Sequence, residues 1–170
     1  ITWDELLGRL EAVDWRAAIV GPHGHGKSTL LGDLGRRLET RGLRTLRLSL
    51  REAHPRLTRE ERRQLRNLGP NDVLLLDGAE RLDRWAWWLV RFRTRRAAGL
   101  VVTAHQPGLL ATLVECCTTP QLLEGIVAEL LDGSDGGDGG DIPDAAELHA
   151  RHGGDVREAL FELYDRWAGR

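Results

Sequence analysis

At 170 residues with 41% hydrophobic side chains, the chain is long enough for one cored domain, or a core with a small appendage. Its formal charge of -2 gives no global field toward nucleic acid or a membrane surface, leaving only local patches. No apolar run approaches the ~20 residues that span a bilayer, and no basic-then-apolar signal segment opens the chain. Cys116 and Cys117 are adjacent, and neighbours rarely close a disulfide. They read as small semi-buried residues in a reducing, cytoplasmic compartment. A start at Ile1 with no methionine predicts a trimmed chain with flanking domains outside it.

Residues 2–13 read as a short amphipathic helix capped by Thr2, and 16–20 as a buried strand ending at Gly21. Residues 27–41 have helical spacing at Leu30, Leu31, Leu34 and Leu38. Residues 43–50 alternate, with Leu46, Leu48 and Leu50 on the inner side of a half-buried strand. A charged helix is expected over 58–68 and a buried strand over 72–77. The next helix is expected over 80–97, with Leu82, Trp85, Leu89 and Phe92 on one face, before a buried strand at 99–103. Residues 109–117 suit a short final strand, and 120–131 a helix. The run 133–141 reads as a mobile Gly/Asp linker. Helices at 143–152 and 155–168 close the chain, the latter capped by Asp155 with Val156, Leu160, Leu163 and Trp167 in its stripe. Strands alternating with helices predict an α/β fold with a mostly parallel sheet. The expected division is a core over 1–119 and a helical lid-like region over 120–170.

The run Gly21, Pro22, His23, Gly24, His25, Gly26, Lys27, Ser28 meets the phosphate-loop pattern between a strand and a helix. Glycines let the backbone turn its N–H groups toward phosphates, and the helix start adds partial positive charge. Lys27 is the only lysine in an arginine-rich chain, retained where a compact point charge suits β/γ-phosphates. Ser28 would place its hydroxyl on Mg²⁺, and Thr29 would reach phosphate from the first turn. His23 and His25 occupy variable positions and read as loop filler. Four apolar residues and Asp77 form a Walker B pattern, with Asp77 on the metal. Glu80 is the candidate for activating water, while Thr103 and His105, ending the next strand, are candidates to contact the γ-phosphate or that water. The expected ligand is Mg·ATP. The Asn-Lys-x-Asp pattern of guanine recognition is absent, which favours ATP.

Together these motifs resemble the additional-strand P-loop ATPases, in which a strand separates the phosphate-loop strand from the Walker B strand. Within that class the chain resembles the AAA+/STAND group. Thr103 is similar to a sensor-1 residue, and Gly153-Gly154-Asp155-Val156-Arg157 is similar to a sensor-2 motif. The resemblance implies that Arg157 serves the phosphates. It departs at Gly78, where AAA+ proteins place a glutamate directly after the Walker B aspartate.

Three functions are compatible with these residues. One is an ATPase that drives conformational change or remodels a partner. The second is a nucleotide-controlled binding module with little hydrolysis. The third is a small-molecule kinase with an Arg-rich lid over 56–66. Trp87 falls opposite Leu82 and Leu89 on its helix, near Arg84, Arg91 and Arg95, where it either packs on a neighbouring element or stands exposed among the arginines. That Trp87/Arg91 face would suit a protein partner or a second copy better than nucleic acid.

Overall fold

The computed structural model describes residues 1–50, 56–132 and 144–168. The expected Gly/Asp linker at 133–141 lies outside the described residues. The strands are β1 (Arg16–Val20), β2 (Arg44–Ser49), β3 (Asp72–Asp77), β4 (Gly99–Ala104) and β5 (Ala111–Glu115). They form one sheet in the order β2-β3-β4-β1-β5, with every pairing parallel. β4 therefore lies between β1 and β3. The helices are α1 (Trp3–Ala12), α2 (Lys27–Thr40), α3 (Arg59–Arg66), α4 (Arg84–Arg93), α5 (Pro120–Asp132), α6 (Ala145–Arg151) and α7 (Val156–Ala168).

The chain divides into two compact units. The first comprises Ile1–Gly21 and Lys27–Glu115, and the second Pro22–Gly26 and Cys116–Arg170. In the first unit, parallel strands covered on both faces read as continuous apolar runs. Ala18, Val20, Leu74, Leu76, Leu100 and Val102 share one cluster with Leu48, Leu50, Leu65 and Val90. Their alternating neighbours, Ile19 and Leu75 among them, turn to the other face, where Gly35 lets α2 approach Leu75 closely. Each Leu buried this way contributes about 1.5–3 kcal/mol. Thr2 and Thr58 each close a capping box, fixing where α1 and α3 begin. In the second unit, α5, α6 and α7 pack around Leu123, Val127, Leu148, Ala159 and Leu163. Val156 and Leu160 lie half-buried against that cluster, while the Trp167 side chain is outside the described residues. Among the described residues, no helix is long and apolar enough to cross a membrane.

The helix expected over 80–97 is broken. A 3₁₀ turn at Ala79–Arg81 ends in extended backbone at Leu82. Asp83 then caps a new helix, its Oδ1 accepting from Ala86 N at 2.8 Å. The interruption resets the phase, so Leu82 no longer shares a face with Trp85 and Phe92. Val90 and Thr94 are buried, and Trp87 packs half-buried on the core. Trp87 is thus not the exposed ring of the expected Trp87/Arg91 face. The exposed rings are Trp85 (81% exposed), Trp88 (58%) and Phe92 (46%). Asp83→Ala removes the cap that sets this phase and should cost about 1 kcal/mol, read as a lower urea midpoint. An unchanged midpoint would show that packing alone positions α4.

Candidate functional site

β1 delivers the chain to Gly21, whose N–H donates to Ala104 O at the end of β4, at 3.2 Å. Gly21, Gly24 and Gly26 all have positive φ, the backbone freedom this turn demands. α2 opens at Lys27, which is buried with its Nζ donating to Gly21 O at 2.7 Å. One residue on, Ser28 Oγ donates to Asp77 Oδ1 at 3.0 Å. Asp77 ends β3, and the β3–β4 register, with Leu76 opposite Val102, brings Thr103 beside it. Thr103 Oγ1 donates to the same Asp77 oxygen at 2.6 Å and accepts from Gly78 N at 2.8 Å.

The first unit therefore brings Lys27, Ser28, Asp77 and Thr103 together. The Thr103 hydroxyl is spent on Asp77 and Gly78, and the residue is only 1% exposed. These two bonds tie Thr103 to the aspartate and to the turn that follows it. Glu80 follows on the 3₁₀ turn, with its Oε1 3.5 Å from His105 Nε2 and both side chains partly exposed.

Gly78 has a steric reason to be glycine. Its φ is +81°, and a Cβ there would lie 2.8 Å from Leu50 O. A glutamate following Asp77 would be strained in this backbone, and the nearest downstream carboxylate belongs to Glu80.

His23 and His25 are hydrogen-bonded within the second unit. His23 Nδ1 lies 3.2 Å from Asp155 Oδ2, and His25 Nδ1 accepts from Thr118 N at 3.2 Å. The Thr118 hydroxyl donates to Gly154 O at 2.5 Å and sits 3.2 Å from His149 Nε2. Gly24 has φ +72°, and a Cβ on it would overlap the Asp155 carboxylate. These partners are 93 and 132 positions apart in the chain, and no local spacing signals them. Burial alone would raise the Asp155 pKa. Hydrogen bonds from Glu158 N, His23 and Arg157 N outweigh it and hold the group below its ordinary value of 3.8. Arg157 is exposed in the first turn of α7, its backbone N–H donating to Asp155 Oδ1 at 3.0 Å. Thr29 is exposed in the first turn of α2.

The donor set suits a hard cation: a hydroxyl from Ser28 and a carboxylate from Asp77 supply oxygen ligands. Among the described residues, no group of three or more His, Cys, Asp or Glu could hold a metal by itself.

Two solved structures share this architecture. The Thermotoga maritima RuvB Holliday junction branch migration motor superposes with a TM-score of 0.61 at 21% identity, over 94% of this chain and 60% of that one. A single-substitution form of T. maritima RuvB gives 0.57 at 22% identity, over 92% of this chain and 57% of that one. The chain thus spans about three-fifths of the length of the proteins it matches. No protein-family model and no curated protein matches it. The architecture is the expected one: a parallel sheet flanked by helices, with a small helical appendage.

Gly78→Glu should cost at least about 1–3 kcal/mol through strain at positive φ, measured by urea denaturation. A stable Gly78→Glu protein would show that the turn relaxes freely. Asp155 contributes stability that is complete above its ordinary pKa and lost as pH falls through its lowered folded value. The melting temperature of the parent should therefore exceed that of Asp155→Asn at pH 7, with the gap closing below about pH 4. A gap independent of pH would refute this linkage.

Proposed function

We propose that this chain binds Mg·ATP on the loop from Gly21 to Thr29 and hydrolyses it to ADP and phosphate. The observation that carries the reading is the shared acceptor, Asp77 Oδ1, which takes the Ser28 and Thr103 hydroxyls in the same unit as the buried Lys27. Such a hydroxyl–carboxylate pair is what a metal–phosphate ligand requires at a helix start. Ser28 and Asp77 would hold Mg²⁺, which when bound neutralises charge on the phosphate oxygens. Backbone N–H groups of His23 to Ser28 would receive the phosphates, with Thr29 adding its hydroxyl. Lys27 would turn from the Gly21 carbonyl to the β/γ-phosphates. Glu80 would take a proton from water as that water attacks the γ-phosphorus and the bond to the bridging oxygen breaks. His105 would hold the Glu80 carboxylate, and Arg157 carries the role its motif implies, a cation for the developing charge.

Adenine preference rests on the missing guanine motif. Helices α5–α7 form the lid-like region of this reading, which moves with the nucleotide or passes that motion to a partner or second copy. The branch migration motor named for the T. maritima protein supports that coupling.

The Glu80–His105 pair favours a second reading. If the contact with His105 draws Glu80 away from the attacking water, the chain would act as a nucleotide-controlled binding module with little turnover. Phosphate release from Mg·ATP across a range of protein concentrations separates the two. Lys27→Ala should abolish nucleotide binding and turnover together. Glu80→Gln should keep binding and lose turnover by about 10²-fold or more. Residual turnover indifferent to Glu80→Gln would establish the binding module instead. Specific activity rising with concentration would add an assembling enzyme.

A further inference from the structure

Between Arg84 and Arg96 the chain carries five arginines and no carboxylate, in a protein whose net charge is -2. Arg84, Trp85, Trp88, Arg91, Phe92 and Arg95 recur at three- and four-residue intervals and all are exposed. That spacing lines up cations and rings along one helix face, about 5.4 Å per turn. None of these rings is needed to seat α4, because Val90, Thr94 and the half-buried Trp87 occupy its core side. Exposed aromatic area of this extent is costly in water and marks a binding surface.

Two geometric features define the ligand. Trp88 and Phe92 are stacked, with centroids 5.4 Å apart and planes 13° from parallel. This offset, face-to-face stack is the platform, each ring still about half exposed, with the Arg93 guanidinium 5.9 Å from the Phe92 ring. Beside it opens a cavity of ≈ 620 Å³, walled by Arg16, Arg91, Arg95, Trp87, Trp88 and Phe92. Arg16 Nη2 donates to Thr94 O at 2.6 Å, which pins that guanidinium in the wall.

Arginines without carboxylates select an anion, and parallel ring planes select a flat aromatic group. Single-stranded nucleic acid presents both at every step, a phosphate and an unpaired base. A duplex hides its base faces. An anionic bilayer offers no planar partner and no occupant for a concave, arginine-walled cavity. An acidic peptide would pair with the arginines but leave the platform unused. We propose that the α4 face binds single-stranded nucleic acid, with bases stacked on Trp88–Phe92 and on Trp85, and phosphates held by Arg84, Arg91 and Arg95. This surface is separate in sequence from the phosphate loop, and the proposal stands whether or not the chain hydrolyses ATP.

The test uses the full chain and a fluorescein-labelled oligothymidylate of about 20 nucleotides, longer than the ~4–16 that a compact fold covers. Anisotropy should report binding at low salt, accompanied by quenching of tryptophan fluorescence. Log affinity should fall with log salt at a slope of about -2, for three phosphates at ~0.7 each. Trp88→Ala should weaken binding about tenfold, and Trp85→Ala, at the most exposed ring, should weaken it without touching the fold. Arg91→Glu with Arg95→Glu should abolish it. Lys27→Ala should leave it unchanged, and its loss in that variant would place the strand on the phosphate loop and overturn the proposal. Equal affinity for a duplex of the same length would reduce the site to phosphate attraction and refute stacking. Binding to phosphatidylglycerol vesicles or polyglutamate in place of the oligonucleotide would give the surface to a membrane or an acidic protein. Affinity unaffected by the tryptophan and arginine changes, or no binding at low salt, would end the idea.

Discussion

A single carboxylate oxygen ties together the carboxyl ends of the inner strands. Asp77 Oδ1 accepts from Ser28 at the start of α2 and from Thr103 at the end of β4. The same threonine accepts from the Gly78 amide, so the turn after β3 is tied to the next strand. Each hydrogen bond to a charged acceptor contributes about 1.5–3 kcal/mol, and an orphaned carboxylate here would cost more than either bond returns. The arrangement depends on strand order. With β4 between β1 and β3, a β4 side chain can brace the β3 aspartate while the helix after β1 also reaches it.

That bracing constrains the turn beyond β3. The chain leaves Asp77 through a left-handed glycine packed under the Leu50 carbonyl, which excludes a side chain at position 78. The next acidic group arrives on a 3₁₀ turn and meets His105 from the segment after β4. A side chain at position 78 would be strained by this turn, and the next carboxylate along the chain is that of Glu80. A comparable constraint governs the loop glycine Gly24, where the Asp155 carboxylate takes the space of a side chain.

The helix after that turn shows how one cap redirects a surface. Asp83 accepts from Ala86 N and restarts the helix, which rotates every later residue relative to Leu82. Buried contact goes to Val90 and Thr94, and the Thr94 hydroxyl returns to Val90 O at 2.9 Å so that no polar group is stranded. Trp85, Trp88 and Phe92 are turned outward beside the arginines as a consequence.

Much of this was legible in the residues themselves. The strands over 16–20 and 72–77 announce themselves as short apolar runs between turn residues, and the capping Thr2, Thr58 and Asp155 are local signals with local causes. The candidate groups Lys27, Ser28 and Asp77 follow from spacing, because a phosphate loop and a strand-ending aspartate are contiguous patterns. The phase of α4 was not, since a periodicity read across Leu82 assumes an unbroken helix and Asp83 breaks it. Nor were the partners of Thr103, His23 and His25. The sequence by itself determined which segments become strands and helices and which residue types stand at their ends, since those depend on neighbours a few positions away. Only the tertiary structure decided that Thr103 braces Asp77, that Asp155 and Thr118 receive the loop histidines, and which rings of α4 face water. Those outcomes depend on strand order and on pairings far apart in the chain, which no local pattern encodes.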